Sequence, residues 1–271
     1  MDNYTRWVIF MLTIVLLIRD ICYNKGLFFM NRSMLLNPTK KRDYNKWIFT
    51  EIASKYSFMS KILSLGRDAA WKQYLVEALP EKTATCTCLD LACGDGDVSF
   101  LLAERFPQAD VTGVDLSVDM LGFARKNNDY PNVKFVQQDM CELQNADESV
   151  DLLTGSYAIR NAPDLSKVLK QIHRVLKPDG TAAFLEFSKP QSKFLQLIEY
   201  IFLKTWCSLS GFIVQRNSRA YGYIADSLLY FPDRVQLRTL FKELGFDVVY
   251  SRKLYLGILE IIVVSKVKKL Q

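Results

Sequence analysis

The chain has 271 residues, of which 49% are hydrophobic, 13% aromatic and 24% charged, enough to bury one large core with or without an appendage. Its 35 Lys and Arg exceed its 29 Asp and Glu by a formal charge of +6, too small and evenly spread an excess for a dedicated nucleic-acid binder, though it suits a membrane surface. A single His excludes most zinc enzymes and Ser/His/Asp hydrolases, and six Cys with no CxxC pairing point to a reducing compartment and no metal site.

At the amino terminus, residues 7–18 (WVIFMLTIVLLI) are apolar throughout, but Arg19 and Asp20 close the run short of the roughly 20 residues that span a bilayer. Asp2 and the lack of a small-residue cleavage site exclude a secretory signal. Three readings stay open for residues 1–42. The segment dips into one leaflet, helped by Leu27, Phe28, Phe29 and Met30, with Arg32, Lys40, Lys41 and Arg42 on anionic headgroups; or it packs on the domain; or the true start is Met30 or Met34.

From residue 43 to 271 the composition is that of one mixed domain. Short β-rich runs at 87–92, 111–115, 133–137, 150–155 and 181–186 alternate with helical periods or turns, which predicts a doubly wound, mainly parallel sheet. The runs 247–254 and 258–264 are joined by a few residues around Gly257, too few for a crossover helix, so an antiparallel C-terminal pair completes seven strands. This pattern is that of the class I S-adenosylmethionine-dependent methyltransferases, a Rossmann-like α/β fold. Two aromatic-rich segments, about 43–80 and 189–232, fall outside the core and are expected to cap a substrate pocket at the carboxyl edge of the strands.

The sharpest local signal is 89–97, LDLACGDGD, an apolar strand running into a tight turn and a helix that begins near Val98. Gly94 and Gly96 permit close backbone approach to a ligand. Dinucleotide-binding turns share this GxG, but their third glycine would fall on Ser99, and Asp90, Asp95 and Asp97 repel a pyrophosphate while suiting an ammonium and a sulfonium. Asp115, ending the second strand, is placed to accept from ribose hydroxyls. Asp139 offers a carboxylate to the adenine amino group, Met140 a thioether against its ring, and Ser156 lies after the fourth strand beside the methionine moiety. The expected cofactor is S-adenosyl-L-methionine.

With these residues in view, 49–262 resembles the ubiquinone/menaquinone biosynthesis C-methyltransferases. Tyr56, Met59, Ser64 and Trp71 have the spacing of one family signature; 174–178 (RVLKP), Gly180 and 185–190 (LEFSKP) match a second. Tyr157, Ala158, Ile159, Arg160 and Asn161 resemble the aromatic-Gly-Leu-Arg-Asn segment, and Tyr221, Tyr223, Ser227, Phe231 and Pro232 recur in the cap. The resemblance implies methyl transfer to a ring carbon of a prenylated benzoquinol or naphthoquinol, with Tyr56, Met59, Tyr221 and Tyr223 against the acceptor. Departures occur at Ser57, Ser60 and Asp68, where the family has Asp, Asn and His, and at Tyr255 and Ile262, where it has Thr and His. All are expected outside the cofactor half, so they bear on the acceptor.

For the chemistry, Arg160 is the candidate to stabilise a quinolate oxygen, with Asn161 and Tyr157 orienting the ring or a water; an ion pair of Arg160 with Glu186 is the structural alternative. His173 is assigned a structural place. The general base has no assigned residue. Two alternatives stand beside the quinol reading: a methyltransferase of another lipophilic metabolite, or a non-catalytic cofactor-binding member of a membrane complex. Expected partners are a lipophilic small molecule and a membrane by peripheral contact, with no nucleic acid. A homodimer or a biosynthetic complex is compatible with this, on the cytoplasmic face of a membrane, in the cytoplasm or in an organellar matrix.

Overall fold

The computed structural model describes residues 35–82, 85–215 and 218–267. Residues 1–30 and Arg32, read above as a membrane-contacting segment, lie outside the described residues.

Seven strands form one sheet: β1 (Thr87–Leu91), β2 (Asp110–Asp115), β3 (Val133–Gln137), β4 (Val150–Ser156), β5 (Leu176–Phe187), β6 (Phe246–Leu254) and β7 (Leu259–Lys266), in the order β3-β2-β1-β4-β5-β7-β6. The first five are parallel and β7 is antiparallel to both β5 and β6, as the short connection around Gly257 requires. The order reverses between β1 and β4, which opens the crevice where ligands bind in doubly wound sheets.

Side chains two apart on a strand share a face, and the core divides accordingly. Leu89, Leu91, Leu153, Phe184, Ile262 and Val264 face α6 (Leu165–Val175) and α9 (Arg234–Glu243). Cys88, Leu152, Ala183, Leu185, Ile261 and Val263 face α3 (Asp68–Glu77), α4 (Asp97–Arg105) and α5 (Val118–Lys126). Edge strand β6 is exposed over most of its length and carries Arg252 and Lys253, charges that discourage further pairing. Strand β5 starts earlier than its β-rich run suggests: Leu176 pairs with Val150, then 177–180 loop out with Asp179 at φ 61° before pairing resumes at Thr181.

Helix starts follow from capping side chains. Ser117 accepts from the Met120 N–H, Asp164 from the Lys167 N–H, and Asp233 forms a capping box with Gln236.

The cap gathers α1 (Pro38–Ile52), α2 (Tyr56–Leu63), α7 (Lys193–Gln215) and α8 (Ser218–Tyr230), with Ile48, Ile52, Met59, Cys207, Tyr221 and Tyr223 in a third core cluster. Two boundaries move. The domain starts before residue 43, because Asn37 caps α1 and Pro38 opens it. The first cap segment ends before α3, because Trp71, Leu75 and Val76 bury that helix on the sheet face instead.

Candidate active site

The turn between β1 and α4 places Gly94 at φ 58° and Gly96 at φ 92°, a left-handed conformation that side chains resist. A Cβ on Gly94 would sit 3.1 Å from the Met120 Cε, and one on Gly96 2.9 Å from the rings of both Phe100 and Phe135. Gly94 lines the cavity; Gly96 does not, and its requirement is the packing of those two rings.

Asp115 locks this turn to β2. Its carboxylate accepts the Gly94 N–H at 3.0 Å and the Ser117 N–H at 2.8 Å, while burial pushes its pKa up. At the next strand end, Asp139 accepts the Cys141 N–H at 2.8 Å and pairs with Arg42 of α1 at 3.0 Å. Met140 and Ser156 complete this edge, and Ser156 Oγ is buried without a hydrogen-bond partner.

Asp115, Asp139, Met140, Ser156 and Gly94 line one continuous cavity, which extends past Tyr56, Met59, Tyr157, Arg160, Asn161, Tyr221 and Tyr223. A smaller adjoining cavity takes in Asp90, Asp95 and Lys72 and shares Tyr56, Gly94 and Ser156 with it. The orphan Ser156 hydroxyl thus stands where the two meet. A nucleoside beside the strand-end carboxylates and a methionine moiety at Ser156 fit this cradle, and the residues suit S-adenosylmethionine.

Asp90, expected at the cofactor, borders the smaller cavity and is also held from within the sheet. Its oxygens accept from Ser99 Oγ and Thr154 Oγ1, both at 2.7 Å, and it is 1% exposed, so it pins β1 to α4 and β4 beneath the cofactor edge. Burial raises its pKa to about 6 against the pull of those two hydroxyls. Asp95 instead accepts from Ser57 Oγ of α2, tying the cap to the glycine turn. Ser57 is therefore at the cofactor edge, and the departures do not all lie outside the cofactor half.

Two of the basic residues expected on headgroups are also engaged. Lys41 Nζ donates to the carbonyls of Arg160 (3.0 Å) and Ala162 (2.7 Å), and burial together with the Arg160 charge lowers its pKa to about 8. Arg42 is spent on Asp139.

Arg160 is 4% exposed, with its guanidinium 3.4 Å from Glu186, hydrogen-bonded to Ser227 and flanked by the rings of Phe187 and Tyr223. Its backbone N–H also donates to Glu186, at 3.0 Å. The structural ion pair is present, and the residue still borders the cavity. Asn161 donates to the Tyr157 carbonyl at 2.8 Å and accepts on its own carbonyl from Asn45 at 2.6 Å; Asn45 in turn accepts the Tyr223 hydroxyl at 2.7 Å. His173 packs edge-on against Phe246, away from the cavity.

Sequence reasoning missed Asn45, which had no motif, and passed over Asp68 except as a departure. Asp68 borders the cavity, accepts the Tyr157 hydroxyl at 3.0 Å and pairs with Lys72 at 2.7 Å; Lys72 also reaches Asp97, at 2.9 Å.

Strand order, glycine turn and strand-end acids define a class I S-adenosylmethionine-dependent methyltransferase. An Aquifex aeolicus S-adenosylmethionine-dependent methyltransferase shares the fold, with a TM-score of 0.54 at 16% identity over 76% of this chain and 97% of that one. The chain belongs to the ubiE/COQ5 methyltransferase family, whose model matches residues 38–266. Among its relatives are a Rickettsia prowazekii ubiquinone/menaquinone biosynthesis C-methyltransferase, 34% identical over 82% of this chain and 94% of that protein, and a Thermotoga maritima demethylmenaquinone methyltransferase, 35% identical over 78% and 92%.

Proposed function

We propose that this methyltransferase acts on a ring carbon of a prenylated benzoquinol or naphthoquinol. The observation that carries the reading is the wall of the cavity: Phe49, Met59, Leu63, Trp71, Phe187 and Trp206 give it an apolar, aromatic-rich lining that is continuous with the strand-end residues. Bound S-adenosylmethionine supplies an activated methyl group on a sulfonium. The chain's task is to align that methyl with the ring carbon and exclude water, and such alignment supplies about 7 to 11 kcal/mol. The strand-end acids hold the donor, and the cap rings hold the acceptor plane. Pure protein given methyl-labelled donor and short-chain demethylated quinols of both classes should give a product heavier by one methyl, with the carbon spectrum placing it on the ring. An O-methyl product, or no turnover of either quinol, overturns the reading.

We propose also that the protein works as a peripheral protein at a membrane surface, where such an acceptor resides. Helix α7 is long and apolar, and by length and composition alone it would pass for a membrane span. Its Phe202, Leu203 and Trp206 line the cavity, and its Lys204 pairs with Asp226 of α8 at 2.6 Å, which fixes it to the domain. Phe194, Leu197, Ile198, Phe212 and Ile213 remain exposed, which supports a face resting in the lipid interface. Running the same assay with the quinol in anionic vesicles tests this: the protein should sediment with them, and a protein left in the supernatant as a dimer would assign that face to a second copy.

A further inference from the structure

The larger cavity is bordered by three carboxylates, Asp68, Asp115 and Asp139, and by no Glu or His among the described residues. Two of the three are committed to the cofactor edge. Asp68 is the third, at the start of α3 and not at a strand end, and is 6% exposed. Deprotonating a quinol hydroxyl loads negative charge onto the adjacent ring carbon, so the step needs an acceptor for that proton inside the cavity. Arg160 cannot serve, because a guanidinium keeps its protons. Tyr56 and Tyr157 cannot either: burial pushes both phenols far above their ordinary range, so they stay protonated.

We propose that Asp68 is the general base of the methyl transfer, with Tyr157 and Lys72 as its positioning residues; the assignment rests on the quinol reading above. The Tyr157 hydroxyl donates to Asp68 Oδ1 at 3.0 Å, and Lys72 Nζ lies 2.7 Å from Oδ2, so the carboxylate is held from both sides. Burial opposes the charge on Lys72, but Asp68, Tyr56 and Asp97 outweigh it and raise its pKa, so a cation stays beside the carboxylate throughout. The quinol proton passes to Asp68. The electron pair left on oxygen is delocalised to the neighbouring ring carbon, which forms a bond to the methyl carbon as the carbon–sulfur bond breaks and its pair remains on sulfur. The ring carbon then releases its hydrogen to water as a proton while the ring oxygen recovers the proton from Asp68. One proton is released overall, and Asp68 ends ionised.

The test compares wild type, Asp68→Asn, Asp68→His and Tyr157→Phe on a short-chain naphthoquinol. Each protein is assayed by single-turnover rate across pH, by calorimetric titration with S-adenosylmethionine and by thermal melting. Asp68→Asn should lower kcat by about 10²- to 10⁴-fold with little change in KM or in cofactor affinity. Asp68→His should restore part of the rate and move the acid limb of the pH profile up toward the ordinary imidazole value of about 6.5. Tyr157→Phe removes a hydrogen bond donated to the carboxylate and should lower kcat less than Asp68→Asn. A kcat within threefold of wild type in folded Asp68→Asn overturns the assignment, as does Asp68→His with an unmoved pH limb if the Asn variant does not fold. Wild type that methylates no quinol overturns the acceptor reading first and this assignment with it.

Discussion

Replacing Asp115 with alanine removes two things at once, and the structure says how to separate them. In the folded chain the carboxylate already accepts two backbone N–H groups, from Gly94 and Ser117, at 3.0 and 2.8 Å. Those bonds stabilise the glycine turn, but the carboxylate is buried and its raised pKa records a desolvation cost that alanine would relieve. Losing two charge-assisted bonds while regaining part of that cost leaves a net loss of about 1 to 2 kcal/mol without cofactor. For a chain of this size that lowers the melting temperature by about 2 to 8 °C. The second loss is the ribose contact that we propose for Asp115. Its hydrogen bonds go to a charged group, worth about 1.5 to 3 kcal/mol together, so the dissociation constant for S-adenosylmethionine should rise about 10- to 150-fold. Calorimetric titration gives the second quantity and a melt of the unliganded protein the first. Asp115→Asn, which accepts one of the two N–H groups, should fall between. An unchanged dissociation constant beside a lowered melting temperature would refute the ribose assignment and leave Asp115 as a brace of the turn.

Arg160→Ala should lower stability by about 3 to 5 kcal/mol, because Glu186, 2% exposed, loses the guanidinium that neutralises it. Denaturant unfolding checks this, and normal turnover in the surviving folded fraction would remove Arg160 from the chemistry. Glu199 is 8% exposed with Oε1 unpartnered, and burial raises its pKa from 4.5 to about 7 despite the Arg234 and Lys189 charges. Between those values the folded chain keeps a proton that the unfolded chain has lost, so this group's contribution to stability falls as pH rises through the window and the full penalty applies above it. Glu199→Gln should therefore be more stable than wild type by about 1 to 3 kcal/mol at pH 8, with the gain vanishing near pH 4.5; equal melting temperatures at pH 8 would contradict this.

The alternation of β-rich runs and helical periods was enough to place every strand of the sheet within a few residues, because a doubly wound core needs that order. The exception, the early start of β5, depends on one Leu176 pairing that its flanking polar residues conceal. Asp115, Asp139 and Ser156 were legible because strand ends must meet at one edge. The bracing role of Asp90 was hidden for a reason of period: it shares the β1 face of Cys88, turned toward α4 and Ser99, and proximity to the glycine turn in sequence says nothing of facing. Lys41 and Asn45, and Asp68 through Tyr157, reach partners more than eighty positions away. Only the docking of α1 and α3 brings those partners together, and no local pattern encodes it.

Tyr157 shows how the two halves of the site are joined. Strand β4 ends at Ser156, and the next residue takes φ 56°, a left-handed conformation that for a tyrosine costs on the order of 1 to 3 kcal/mol. Three bonds hold it there. Its N–H donates to the Leu185 carbonyl at 2.7 Å, extending the ladder to β5; its carbonyl accepts from Asn161 at 2.8 Å; and its hydroxyl donates to Asp68 at 3.0 Å. An extended residue at 157 would project its side chain squarely from one face of the sheet, whereas in this turn the ring reaches Asp68 on α3 and lies against Phe187, at 5.8 Å between centroids. The residue after the orphan Ser156 hydroxyl thereby delivers its own hydroxyl to the carboxylate on the acceptor side. A backbone kink at the edge of the sheet fixes the distance between donor and base before either substrate arrives, and the strain is placed where rigidity serves the alignment on which methyl transfer depends.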